Sequence, residues 1–340
     1  MPGSSAAARR RFLLGGAAVA ALALSGCAVQ TPRLLASPPD GLPRRVELSA
    51  TPFFPQEDYQ CGPAALATAL SAVGLPTRPE ALTGKVFLPG REGSLQIEML
   101  AGARRSGAVA TVIPGTLEAV MRETAAGNPV VVLQNLGLSW APSWHYAVVI
   151  GYDLDAGVFL LRSGPIERQE LPLSTFEHTW DRAQRWAFVA LPPDRLPATA
   201  DEVEATRALV AFERTVLPRQ AAQAYAAGLA RWPGSLTLAM GLGNASYAAG
   251  DLEGARRAFA AAAQRHDAAA AYNNLATVLL ELGRRAEARV AAVKAVGRAG
   301  TEGAIADSAR ATLRRIDDAA PPAPRRQRRR PTAAPSPASP

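Results

Sequence analysis

Only two cysteines, Cys27 and Cys61, and three histidines, His145, His178 and His266, occur in 340 residues. They never cluster at metal-ligand spacing, which argues against a zinc site, and no cofactor is implied. One thiol besides Cys27 is too few for a disulfide oxidoreductase. No G-x-x-x-x-G-K-[ST] phosphate loop is present, which removes a P-loop ATPase. Aromatics make up only 6% against 48% hydrophobic residues, so alanine carries much of the apolar content. That favours closely packed helices over an aromatic-rich β-sandwich. Charge of one sign is also missing from the body of the chain. The formal net charge of +8 is matched by Arg9, Arg10 and Arg11 together with Arg325, Arg326, Arg328, Arg329 and Arg330 of the tail. The remainder is close to neutral and has no basic face for phosphates, so nucleic acid is rejected as the main partner.

What is present begins with an export signal. "ARRRFLLGGAAVAALALSGC" has a basic start, an apolar core of about a dozen residues and small residues before Cys27. That core is too short to span a bilayer comfortably. "LSGC" resembles the lipobox of bacterial lipoproteins, which implies that residues 1–27 form a signal peptide ending at a lipidated Cys27. The bland alternative is an ordinary signal peptide or a retained anchor. "RRRFL" also resembles a twin-arginine signal, leaving the export route open. Ala28 after the cysteine carries no inner-membrane retention signal, and by analogy with the lipoproteins it resembles the chain is expected in the cell envelope, lipid-anchored in the outer membrane and facing the periplasm. If Cys27 carries lipid, Cys61 has no partner in its own chain. An unpaired thiol in an oxidising compartment marks a reactive group.

Residues 28–45 are rich in proline and polar residues and read as a flexible tether. Residues 46–195 mix helical and strand patterns. "CGPAALATALSAVG" reads as a helix with Pro63 in its first turn and Gly74 near its end. "SLQIEMLAGARRSG" and "GTLEAVMRETAAG" read as further helices, and "PVVVLQNL", "HYAVVIGY", "VFLLRS" and "RWAFVAL" as strands. Helices first and a mostly antiparallel sheet after give an α+β layout. Residues 200–317 are almost purely helical. Ala222, Ala255 and Ala288 recur every 33 residues, as do Leu229, Ala262 and Ala295, with Gly250 and Gly283 at equivalent turns. This predicts an all-α helical-hairpin repeat domain, similar to tetratricopeptide repeats, whose surface would engage a protein partner. Residues 318–340 have no periodicity and read as a disordered basic tail.

Cys61 opens its predicted helix, where free N–H groups favour a thiolate and lower the thiol pKa. A cysteine nucleophile needs a base. His266 lies in the repeats and His178 in the polar connection "STFEHTWDR", whereas His145 begins a strand at an edge facing a cleft. For Cys61 the bland reading is a small hydrophobe packing the helix start; for His145 it is a satisfied strand-edge histidine.

"PQEDYQCGPAALATAL" followed by "HYAVVIGYD" resembles the bacteriocin-leader-processing, or double-glycine, cysteine peptidases of the papain-like clan, in their stand-alone exported form. The resemblance covers roughly residues 46–191. It implies a papain-like peptidase domain with Cys61 as nucleophile, His145 as general base and then acid, and Gln56 in the oxyanion hole. Gln56 stands five residues before the cysteine, where the family usually has six; Gln60 is the adjacent alternative. The family also carries Asp or Asn on the strand after the histidine. Here a hairpin through Asp153–Gly157 brings Ser163 to that place, a possible orienter of the imidazole that cannot offset its charge. Trp140 and Trp144 line a peptide cleft or cap the core. The resemblance implies hydrolysis of a peptide or protein substrate through a Cys–His acyl-enzyme. The competing reading is a degenerate, non-catalytic peptidase fold that binds peptides or assembles an envelope complex.

Overall fold

Alanine at every second or third position of residues 61–72 builds a helix with no polar face, and the surrounding elements pack on all sides of it. The computed structural model describes residues 29–55, 60–91 and 93–319. Cys27, Gln56, the export signal and the tail lie outside the described residues. The chain divides into two compact units, residues 1–250 and 251–340.

In the first unit the central helix is α2 (Cys61–Ala72), preceded by α1 (Gln30–Ala36) and β1 (Arg45–Glu47). Every residue from Gly62 to Leu70 is buried, as expected for a helix that is apolar all round. Leu66 and Leu70 are fully shielded, each stabilising the fold by roughly 1.5–3 kcal/mol. Then come α3 (Pro79–Val86), α4 (Gln96–Arg105), β2 (Val109–Val112), α5 (Leu117–Ala125) and β3 (Val130–Asn135). The chain continues through β4 (Trp144–Asp153), β5 (Val158–Ser163), β6 (Ile166–Pro172), α6 (Leu173–Asp181) and β7 (Ala187–Leu191).

The strands form one sheet in the order β2-β7-β3-β4-β5-β6, with β1 also pairing with β4. All pairings are antiparallel. Both faces of the sheet are covered. Val131, Val148, Ile150 and Phe188 face Leu66, Leu82 and Met99 of α2–α4. Val130, Val132, Ala147 and Val149 face Val120 of α5 and Phe176 and Trp180 of α6. The observed architecture is an antiparallel sheet between helices, followed by a run of helices consistent with an all-α repeat domain. It matches the expected fold class.

Several elements differ from expectation. The stretch 28–45, expected as a tether, carries α1 and the first residue of β1. Its start is held by the buried Glu177 of α6, whose carboxylate accepts from the N–H groups of Val29 (2.9 Å), Gln30 (2.8 Å) and Thr31 (2.8 Å) and from the Thr31 hydroxyl (2.7 Å). One carboxylate thereby satisfies three N–H groups that a short helix otherwise leaves unpaired. Burial works to raise the Glu177 pKa, but these hydrogen bonds outweigh it and hold the carboxyl below its ordinary value. The "STFEHTW" connection is likewise helical, as α6, with His178 exposed on it.

The helical run begins inside the first unit with α7 (Glu202–Glu213), α8 (Pro218–Arg231) and α9 (Leu236–Ala248). The division between the two compact units falls at Gly250, within the helical run. The reason is packing: Val109 of the edge strand β2 shares a core with Ala208, Leu209 and Phe212 of α7. The chain entering α7 is also fixed. Buried Glu123 of α5 accepts from the N–H groups of Ala198 (3.1 Å) and Thr199 (2.7 Å), the Thr199 hydroxyl (2.6 Å) and the Asn128 amide (2.7 Å).

The second unit holds α10 (Leu252–His266), α11 (Ala269–Glu281), α12 (Arg285–Arg298) and α13 (Ala304–Asp318). Ala255, Ala262, Ala288 and Ala295, spaced by 33 residues in pairs, are all buried. Gly250 and Gly283 both adopt left-handed backbone conformations, with φ of 78° and 74°. Small residues where helices touch and glycine where they end are what a recurring hairpin requires. Among the described residues, no helix is long and apolar enough to cross a membrane.

Candidate functional site

Cys61 is the first residue of α2, free of any disulfide and half-buried. Pro63 fits the first turn because its missing N–H would be unpaired there anyway. Gly62 has a steric cause: a Cβ at that position would stand 2.2 Å from Ser94 Oγ and 2.7 Å from Ser94 Cβ. The segment before α4 therefore passes directly against the start of α2. Tyr146 reinforces this approach by donating its hydroxyl to the Ser94 carbonyl at 3.1 Å.

The Cys61 thiol lies against the backbone N–H of Tyr146, which belongs to the peptide joining His145 to Tyr146. The structure thus brings Cys61 to the end of β4 where His145 stands. Strand alternation sends the Tyr146 ring towards α2 and the His145 ring to the sheet face shared with Ser163. His145 Nε2 and Ser163 Oγ are 3.0 Å apart. That contact leaves Nδ1 as the ring nitrogen without a hydrogen-bond partner among the described residues. In the tautomer that donates from Nε2 to Ser163, Nδ1 is the basic nitrogen.

Burial shifts both groups. It pushes the Cys61 thiol above its ordinary value, while N–H groups of Tyr146, Gly62 and Cys61 itself act in the opposite direction without prevailing. It pushes His145 below its ordinary value. Desolvation thus works against the thiolate expected from the helix start and outweighs the local N–H groups.

Other predicted residues are placed as follows. Gln60 is the residue capping α2 and makes no side-chain cap. Asp153 stays in turn chemistry, accepting from the N–H groups of Asp155 and Ala156, and Asp155 pairs with Arg44. Neither reaches the histidine. Trp140 and Trp144 are 82% and 55% exposed on the β3–β4 connection and first strand position, so they do not cap the core. Among the described residues, no group of three or more His, Cys, Asp or Glu side chains could hold a metal ion.

Two neighbours went unnoticed in the sequence. Gln134 of β3 stands directly opposite His145 in the ladder, is 1% exposed and donates to Thr179 Oγ1 at 2.6 Å. A single glutamine in the apolar run "VVVLQN" is the signal that could have found it. Arg162, beside Ser163, is also buried, donating to the Thr51 carbonyl at 2.7 and 3.2 Å and to the Glu167 carbonyl at 2.5 Å. It fixes the chain that leads towards Cys61.

Residues 49–188 match the sequence profile of the Peptidase_C39 like family. The match covers β2 to β6 and α2 to α6, and ends within β7, before the helical run. It supports a papain-like cysteine-peptidase fold for this segment. A solved Bacillus anthracis chain described as C39-like is similar at 19% identity, over 43% of this chain and 97% of that one, with a TM-score of 0.37. No curated protein matches the chain.

Proposed function

We propose that the chain is a cysteine peptidase in which Cys61 is the nucleophile and His145 the base. The observation that carries this reading is the Cys61 thiol against the peptide between His145 and Tyr146, with the imidazole held by Ser163 at 3.0 Å. Nδ1 of His145 takes the thiol proton as sulfur forms its bond to a peptide carbonyl carbon. The resulting oxyanion is held by the backbone N–H of Cys61 and, by family resemblance, the Gln56 amide. The imidazolium passes its proton to the departing amine nitrogen as the C–N bond breaks, leaving a thioester. Water then attacks the thioester, giving its proton to His145, and the acid product leaves as the thiol is restored. Exposed Trp140 and Trp144 offer an apolar rim for the peptide. By the sequence signals alone, the enzyme is anchored by lipid on Cys27 in the bacterial envelope, with its helical repeats recruiting the protein substrate or a partner.

The test is hydrolysis of a peptide library by the purified chain, with the thioester on Cys61 followed by mass spectrometry. Cleavage abolished by Cys61→Ala and reduced at least 100-fold by His145→Ala is the expected result, given that general-base assistance contributes about 10²–10⁴. Cleavage indifferent to Cys61 overturns it. Peptide binding without cleavage instead establishes the second reading, a non-catalytic binding domain, which Ser163 in the carboxylate's place favours.

A further inference from the structure

A cavity of about 420 Å³ opens where α4 and β2 meet the start of α7. This size falls within the range of small-molecule sites. Its walls include Leu100, Val112 and Ile113, and its charged groups are Arg104, Asp201, Glu204 and Arg207. Three of these four are already engaged. Asp201 caps α7 through Oδ1, which accepts from the Glu204 N–H at 2.8 Å, and Glu204 Oε1 accepts from Arg207 at 2.6 Å. Each carboxylate keeps its second oxygen without a hydrogen bond among the described residues. Arg104 differs. Its Nε is sealed from water with no acceptor, and none of its guanidinium nitrogens forms an ion pair or hydrogen bond among the described residues. Burial accordingly pushes this guanidinium below its ordinary value.

A guanidinium whose Nε is sealed without an acceptor is costly to keep, because that donor has given up water and gained nothing. A longer apolar side chain would line the cavity at lower cost. A planar fork of donors is suited to a carboxylate, which it can grip by two parallel bonds. The second oxygens of Asp201 and Glu204, which also line the cavity, suit a cation, and the apolar residues of the lining suit a short hydrocarbon or peptide body.

We propose that this cavity binds a small zwitterion of the amino-acid or short-peptide class, its carboxylate on Arg104 and its ammonium towards Asp201 and Glu204. The site is formed by the edge of the sheet and the first helix of the helical run, both within the first unit. Its reading is independent of any peptidase activity.

The test is calorimetric titration of trialanine into the full chain carrying Cys61→Ala, which keeps cleavage out of the readout. Trialanine amide and N-acetyl-trialanine are titrated in parallel. Trialanine binds, and amidation weakens it by about ten- to a hundredfold, the loss expected for one charge-assisted hydrogen bond. Arg104→Met weakens trialanine by a similar factor without lowering the melting temperature, and Glu204→Gln weakens it relative to the N-acetyl form. Equal binding of acid and amide overturns the proposal, as does undiminished binding to Arg104→Met or no binding of trialanine at millimolar concentration. Should Arg104→Met fail to fold, the acid-against-amide comparison on the parent chain decides alone.

Discussion

Ser163 Oγ stands 3.0 Å from His145 Nε2, so the side chain in contact with the imidazole carries no charge. In the proposed reaction, an imidazolium would have its proton accepted by Ser163 but its charge unopposed. Ser163→Asp supplies the missing carboxylate. It is expected to raise kcat/KM on any cleaved peptide about tenfold, equivalent to ~1.4 kcal/mol of transition-state stabilisation. The acid limb of the pH profile moves upward with it, because a neighbouring anion favours the imidazolium. Ser163→Ala loses one neutral hydrogen bond, about 1 kcal/mol, and slows the reaction roughly fivefold. Rates and pH profile unchanged in both variants would show that Ser163 does not act on His145.

The resting thiol is expected to be sluggish. With Cys61 pushed up by burial, the rate of alkylation by iodoacetamide should rise through an inflection above the ordinary thiol value of about 8.5. An inflection well below that value would identify a resting thiolate–imidazolium pair instead.

His145 makes the fold sensitive to mild acid. Its folded pKa lies below its unfolded value of about 6.5, so the unfolded chain binds the proton more readily. The stability this contributes is complete above the unfolded pKa and is lost as pH falls through the folded one. Urea midpoints should therefore drop between pH 7 and acid pH in the parent chain, and drop less in His145→Gln. Parallel curves would place the imidazole in water.

Removing Glu177 should unfasten the first described residues. Glu177→Ala leaves the N–H groups of Val29, Gln30 and Thr31 without their acceptor and is expected to cost roughly 3 kcal/mol. Amide exchange at these residues and proteolysis before Leu34 should accelerate together. Because the Glu177 pKa is lowered in the fold, the parent keeps this contribution above the ordinary carboxylate range. It loses the contribution as pH falls through the folded pKa. The Ala variant lacks that dependence.

Gly62→Ala tests the close approach of Ser94. A Cβ at 2.2 Å from Oγ and 2.7 Å from Cβ forces the segment before α4 away from Cys61. The expected cost is about 1–3 kcal/mol, as for other overpacked sites. Thermal unfolding measures it, and a compensating Ser94→Gly should recover most of the loss.

The sequence made the sheet legible where strands were apolar runs bounded by turns, as in "PVVVLQNL" and "HYAVVIGYD". It made α2 legible through alanine, Pro63 and Gly74. Strands β2 and β6 were not recognised. The first is only four residues long, and the second alternates polar residues because its outer edge is exposed. Helices α1 and α6 were hidden for a related reason. They are tied by Glu177 to residues about 147 positions away, a partnership no local pattern displays. Cys61 and His145 could be singled out because rare residue types stood at element starts, and Ser163 because the hairpin brings it opposite His145, where the resembled family carries a carboxylate or amide. The direction of the thiol shift could not be seen, since it depends on how much protein surrounds the sulfur.

The clasp of Glu123 on residues 198 and 199, and the seating of α7 on β2, bear on how this protein can be dissected. A truncation that stops at residue 195 would strip a row of unpaired backbone groups along β2 and lay Val109 open to solvent. Such a margin recruits other chains. A fragment extended to residue 250 retains its own cover, and is the shortest piece whose solution behaviour would speak for the parent rather than for the cut.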